Sequence, residues 1–150
     1  MIANIELIFD NYSEMLKKLK KKTYEANMEL FKEEHGACIE EMLSVVRDSD
    51  DAAAASREIG SEIVNAAISA FGKKGKIRAT KQVDANFFMI YYVFTTIQLT
   101  EDENAKVLCD GILEVWNNTF KKTKMGYTDY ETLYNSFKKT FLGITIDDKD

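Results

Sequence analysis

The sequence predicts an all-α protein, a single compact bundle of five to seven helices. The 150 residues contain no proline, and proline interrupts helices because it lacks an N–H donor and clashes with the preceding turn. Apolar residues also recur at three- and four-residue spacing along most of the chain, which is the period of a helix. We expect one helical domain over residues 1–144 and a short acidic, frayed tail at residues 145–150.

The composition is typical of a soluble globular protein, with 45% hydrophobic and 30% charged residues. A net charge of −5 and few arginines argue against binding to nucleic acid or to an anionic membrane. The N-terminus lacks the features of a signal peptide, and no apolar run is long enough to insert into a bilayer. We therefore predict a cytoplasmic protein.

The first helix is predicted to begin near Ala3. One apolar stripe continues from there with helical spacing: Ile5, Ile8, Tyr12, Met15, Leu16, Leu19, Thr23, Ala26 and Leu30. Because the stripe passes the lysines at 17–22, we expect these lysines on the solvated side of one long helix. Gly36 permits a break or bend after His35, and a second helical segment then carries residues 39–46.

The third helix is predicted over Ala52 to Phe71. The acidic turn at 48–51 offers side-chain oxygens that can cap it, and Gly72 is placed to end it. Its small residues would let a neighbouring helix approach closely. Residues 73–78 are the most loop-like stretch of the chain.

The fourth helix, at residues 83–99, is apolar nearly all round. A helix without a polar face is usually central and covered on several sides. Its aromatic and β-branched content would also suit a strand. We prefer a helix, because the run is long and no second strand candidate exists to pair with it.

Two helix starts have the pattern of a capping box, in which Thr and Glu side chains each bind the other's backbone amide. The first is Thr100 to Glu103, before a fifth helix that ends near Phe120. The second is Thr128 to Glu131, before a sixth helix that ends before Gly143.

The sequence predicts no catalytic constellation, no metal site and no cofactor, so enzymatic activity is disfavoured. His35 is the single histidine and is expected at a helix end, where the dipole favours a cation. The carboxylates are expected on exposed helix faces, since Lys32 stands where a Glu-x-x-His metal element needs a glutamate. Cys38 and Cys109 are expected to be buried as small hydrophobic residues, rather than to form a disulfide or a reactive thiol.

Aromatic side chains of the last three helices are the candidate site. Tyrosine and tryptophan combine an apolar body with a polar tip, so these rings could line a pocket or an interface, while core packing is the alternative. The candidates are Tyr91, Tyr92, Trp116, Tyr130 and Tyr134.

Residues 84–144 resemble a helical region of bacterial Firmicutes proteins that precedes a cysteine-containing "CFI-box" C-terminal segment. The resemblance is carried by residues 87–94, 115–117, 120–123, 128–131 and 135–141. It implies a bacterial, intracellular protein of uncharacterised role and transfers no site residue. Residues 142–150 lack the cysteine-bearing segment.

Three functions remain open from the sequence. The first is a non-enzymatic interaction or oligomerisation module, whose partner is another protein or a second copy. The second is a small-molecule-binding or catalytic bundle with an aromatic pocket between the fourth, fifth and sixth helices. The third is anion or nucleic-acid binding, which requires the lysines at 17–22, 73–78 and 121–124 to cluster.

Overall fold

Helices make up the regular structure of the chain throughout the residues that the structure describes. The structure is a computed structural model that describes residues 2–10, 12–21, 24–127 and 129–141, with side chains at 18–25, 27 and 137–141 left aside. Within these ranges the extended pairing consists of an isolated bridge between Lys73 and Lys76. The prediction of an all-α fold is confirmed.

A 3-10 segment precedes the first α-helix. The elements in chain order are the 3-10 segment (Ile5–Phe9), α1 (Tyr12–Lys21), α2 (Tyr24–Asp48), α3 (Ala52–Phe71), α4 (Ala79–Phe88), a π-helical segment (Met89–Phe94), α5 (Thr95–Leu99), α6 (Ala105–Thr119) and α7 (Tyr130–Phe141). The acidic tail and Gly143 lie outside the described residues, as does Thr128.

The prediction of one long first helix from near Ala3 is wrong, and no break occurs at Gly36. The stripe is divided among the 3-10 segment, α1 and α2, and α2 passes through Gly36 without interruption. Glycine permits a helix to end but does not force it. Here the buried positions continue at helical spacing on both sides, from Phe31 through Ile39 to Val46, so tertiary packing keeps the helix intact. His35 is therefore in the middle of α2, not at a helix end.

The bounds predicted for α3 are those observed. Asp51 caps it by accepting a hydrogen bond from the backbone N–H of Ala54 at 3.1 Å. The helix ends at Gly72, where a Cβ would lie 2.4 Å from the Lys76 carbonyl oxygen. The loop that follows is a tight turn, in which Lys74 and Gly75 both have positive φ and Lys73 and Lys76 exchange backbone hydrogen bonds.

Small residues bring α3 and α6 into close contact, as the alanine-rich start of α3 suggested. A Cβ added at Gly111 would lie 2.3 Å from the Ser56 Cβ, and one added at Gly60 would lie 3.1 Å from the Ile112 Cα. From Ser56 to Gly60 along α3 the contact moves from Gly111 towards Val115 on α6. The two helices therefore run in the same general direction.

The predicted central helix is helical throughout but begins earlier, at Ala79, and contains the π-helical segment. The Thr95 hydroxyl donates to the Ile90 carbonyl, five residues earlier, at 2.9 Å. The side chains from Phe88 to Ile97 are buried, apart from the partly buried Ile90. No residue pattern in the sequence marked the change of helix type.

The capping box predicted at Thr100 to Glu103 is wrong. The Thr100 hydroxyl donates to the Ile97 carbonyl at 2.6 Å and so belongs to the end of α5. Glu101 adopts a positive φ of 56°, which turns the chain before α6 begins at Ala105. Residue 128 of the second box is outside the described residues, and Asp129 caps α7 through the Thr132 N–H at 2.9 Å.

Candidate functional site

The five predicted aromatic residues lie on the π-helical segment, α6 and α7, and they contact several other elements of the bundle. Tyr92 lies against Phe31 and Phe88, and its hydroxyl donates to the Met15 carbonyl of α1 at 3.1 Å. Tyr130 and Tyr134 stack on each other at 5.6 Å between ring centroids. The first four of the set (Tyr91, Tyr92, Trp116 and Tyr130) are buried, and Tyr134 is half-buried.

Trp116 belongs to a polar network that joins α4 to α6. Its indole N–H donates to the Asn86 Oδ1 at 2.8 Å, and Gln82 donates to the same oxygen at 3.0 Å. The Asn86 amide in turn donates to the Thr123 carbonyl at 2.8 Å. These bonds fix the lysine-bearing loop after α6 beside the last turn of α4. The buried Oε1 of Gln82 meets no hydrogen-bond partner among the residues that the structure describes.

The hydroxyls of Tyr92 and Tyr130 bind backbone carbonyls, and those of Tyr91 and Tyr134 are hard to ionise. The Tyr130 hydroxyl donates to the Phe94 carbonyl at 2.5 Å, where the π-helical segment meets α5. Burial, with a smaller contribution from Tyr92, raises the pKa of Tyr91 to about 12, and burial raises the pKa of Tyr134. These geometries anchor helices to one another, and the proposed aromatic pocket stays a prediction.

The histidine and both cysteines are buried. His35 packs on the ring of Phe31, and burial lowers its pKa against the opposing charges of Glu34 and Asp10. Burial raises the pKa of the Cys38 thiol to about 11, and Glu41 and Glu62 add to the shift. Cys109 is fully buried, and its pKa is likewise raised by burial. Both cysteines are free, as predicted. Because burial raises their pKa values, both side chains stay protonated thiols and do not ionise to thiolates.

The surface of the described residues contains open cavities, and the two considered next are lined by residues other than the predicted aromatics. One of about 510 Å³ lies between the N-terminal residues 2–7 and one face of α3. The other, of about 690 Å³, lies between α6 and the following loop and carries carboxylates, amides and lysines together. Among the described residues no group of three or more His, Cys, Asp or Glu side chains could hold a metal ion.

Large apolar side chains are exposed at two places on the helical run from Ala79 to Leu99. Val83 is 48% and Phe87 42% exposed on α4, and Leu99 is 44% exposed at the end of α5. The Phe87 ring stacks on Tyr91, with centroids 5.3 Å apart and planes at 8°. The helix is therefore covered on several sides, as expected, but the face of its first turns that carries Val83 and Phe87 is exposed. Helical spacing predicts that Val83 and Phe87 share one face of the helix, but it does not predict that this face is exposed.

The segment that leads into α4, and so towards Val83 and Phe87, is rich in cations. Between Glu62 and Asp84 the chain contains no acidic residue, and the cations there are all exposed. They are Lys73, Lys74, Lys76, Arg78 and Lys81. We call these five cations, with Val83 and Phe87, the basic end. The bond from Asn86 to the Thr123 carbonyl brings the exposed lysines of the 121–124 loop to the same region. Most side chains of the third lysine stretch, residues 17–22, lie outside the description.

Acidic residues surround the second place. Arg47 pairs with Asp102 at 2.6 Å, which holds the turn after α2 beside the turn after α5. The exposed carboxylates of these turns are Asp48, Asp50, Asp51, Glu101 and Glu103. Val45, 40% exposed on α2, lies three residues before this group, and Leu99 lies two residues before Glu101. We call the five carboxylates, with Val45 and Leu99, the acidic end.

Comparison of the chain with models of known protein families, with characterised proteins and with solved structures found no match. The resemblance of residues 84–144 to the Firmicutes region therefore stays a prediction. None of the helices in the described ranges combines the length and apolar character that crossing a membrane requires.

Proposed function

We propose that this protein is a non-enzymatic helical interaction module, whose partner is another protein or a second copy of the chain. The observation that carries this proposal is the exposed apolar pair Val83 and Phe87, 48% and 42% exposed on one face of α4. The residues that follow on the same helical run are among the most buried of those that the structure describes. A rigid helix that offers large side chains to solvent resembles the anchor of a protein interface.

The polar chemistry of the interior supports an interaction role over catalysis. The hydroxyls of Tyr92 and Tyr130 and the indole N–H of Trp116 bind groups of the protein itself. The two thiols are buried with raised pKa values, so they are poor nucleophiles. Because these interior groups bind the protein itself, we expect a partner to bind at the surface of α4 instead.

Photo-crosslinking at position 87 tests the proposal. Phe87 is replaced by a photoreactive benzoylphenylalanine in cells that produce the protein, and adducts are identified by mass spectrometry. The matched control carries the same group at Glu33, which is exposed on α2. We expect a discrete adduct from position 87 that position 33 does not give, and a lower yield when Val83→Ser is added. Equal yields from both positions, or no adduct from position 87, would contradict the proposal.

A further inference from the structure

We infer that the partner of the basic end is the acidic end of a second copy of this chain, so that the protein associates head to tail. This inference rests on the proposed function and adds the identity of the partner and the geometry of the contact. The two ends match in composition: each combines five exposed charges of one sign with two large, partly exposed apolar side chains.

The fold places the two ends far apart on one molecule. α3 begins immediately after the acidic turn at 48–51 and ends immediately before the lysine turn at 73–76. Its 20 residues correspond to a length of about 30 Å at 1.5 Å per residue. The helical run from Ala79 to Leu99 returns over a similar distance, from Arg78 at the basic end to Glu101 at the acidic end. The two groups therefore cannot neutralise each other within one chain.

Charge complementarity favours a second copy over an unlike partner. The whole chain has a net charge of −5, so the basic end is a local exception on an acidic molecule. A second copy offers, at one place, both the carboxylates and the apolar side chains that this surface needs. The cations near the acidic end are already engaged, since Arg47 pairs with Asp102 and Glu40 and Lys106 pairs with Asp110.

A contact between two different surfaces is heterologous, and it builds a ring if the rotation closes or an open chain if it does not. Exposed charges contribute steering and are screened by salt. We therefore expect concentration-dependent association beyond a dimer, with the apparent dissociation constant at least about fivefold weaker at 500 mM than at 50 mM NaCl.

Two variants distinguish head-to-tail association from a symmetric contact. Each carries substitutions that remove charges and one apolar side chain of one end. The basic-end variant carries Lys76→Gln, Arg78→Gln, Lys81→Gln and Phe87→Ser. The acidic-end variant carries Asp50→Asn, Glu101→Gln, Glu103→Gln and Leu99→Ser. All eight positions are exposed, and the capping Asp51 and the paired Asp102 are kept, so both variants should fold. Circular dichroism melting checks this before association is measured.

Sedimentation velocity from 10 μM to 1 mM gives the decisive result. Each variant alone should be monomeric, because it has lost one partner surface. An equimolar mixture should form a 1:1 dimer and nothing larger, because the one intact basic end meets the one intact acidic end. That outcome, with larger species for the wild type, supports head-to-tail association.

The remaining outcomes overturn the inference in distinguishable ways. If the wild type associates and the acidic-end variant associates equally well, the contact is symmetric through the basic end, and the proposed interaction function survives. If the wild type stays monomeric while position 87 crosslinks to a different protein, the partner is unlike, and again the function survives. A strict monomer with no adduct at position 87 removes both proposals.

Discussion

The contact between α3 and α6 and the contacts of the α4 to α5 run hold the same bundle together by opposite means. At the first, Ser56, Gly60 and Gly111 let two helix backbones meet with no room for a further Cβ. At the second, rings such as Tyr92 and Trp116 fill the space and attach their polar tips to distant backbone or amide groups.

This difference shows two kinds of specificity in one core. The small-residue crossing depends on the absence of atoms, so it should fail abruptly when an atom is added. The aromatic region depends on many ring contacts and a few buried hydrogen bonds, so it should weaken by degrees as single groups are removed. The variants below test this contrast.

Gly111→Ala should have the largest effect. Its Cβ would lie 2.3 Å from the Ser56 Cβ and 2.8 Å from the Ser56 carbonyl carbon, so α3 and α6 must separate. We expect the free energy of unfolding to fall by about 3 kcal/mol, measured by urea denaturation. Adding Ser56→Gly should restore part of the loss, because it removes the nearer of these two atoms.

Gly36→Ala is the matched control for that substitution. Gly36 is also inside a helix, but a Cβ there would have only the Lys32 Cγ nearby, at 4.0 Å. We expect this variant to gain about 0.5 to 1 kcal/mol, since alanine has the better helix propensity. Equal effects of the two substitutions would show that propensity, not the crossing, determines the result.

Trp116→Phe should have an intermediate effect of about 2 kcal/mol. The substitution removes the indole N–H that binds Asn86 and leaves a small cavity in the place of the larger ring. The comparison variant is Tyr127→Phe, which removes a hydroxyl that meets Ser136 in a half-buried position and should cost clearly less. A loss for Trp116→Phe as large as that for Gly111→Ala would contradict the idea of gradual weakening.

Tyr92→Phe should be milder, with a loss of about 1 kcal/mol. It keeps the ring and removes only the hydroxyl that reaches the Met15 carbonyl of α1 at 3.1 Å. Amide hydrogen exchange should show faster opening of α1, while α6 is unchanged. Uniform acceleration across the bundle would argue against a local anchoring role.

Acid should weaken the aromatic region and not the small-residue crossing. Burial lowers the pKa of His35 in the folded protein, so the unfolded chain binds the proton more readily. The contribution of His35 is therefore complete above its unfolded pKa of about 6.5 and is lost as the pH falls towards the folded pKa. Urea denaturation at pH 7.5 and 5.5 should show a smaller difference for His35→Gln than for the wild type. The same difference in both proteins would assign the acid sensitivity to other groups.

Several features that depend on residues close together in the chain were predicted correctly, and several that depend on contacts between helices were missed. The bounds of α3 depend on Asp51 and Gly72, which lie next to the helix ends, and both were predicted correctly. The continuity of α2 through Gly36 depends on burial of its neighbours against other helices, and it was missed. The prediction of a capping box at Thr100 was wrong because Glu101 adopts a left-handed conformation, which no local sequence pattern predicts.

The candidate site shows the same limit. The sequence identified the aromatic residues as a group but not their partners. Tyr92 packs on Phe31 and Trp116 donates to Asn86, and both contacts depend on where the helices lie relative to one another. The exposed pair Val83 and Phe87 has the same apolar character as the buried residues after it, so composition could not single it out.

The sequence by itself determined the helical class, the ends of α3 and the burial of the two cysteines, because these follow from local backbone preference and hydrophobic period. The tertiary structure alone decided which apolar residues remain exposed and which two acidic turns meet at the acidic end. The reason is geometric: exposure and clustering depend on which helices lie side by side, and residues such as Arg47 and Asp102, far apart in the chain, meet only after the bundle has formed.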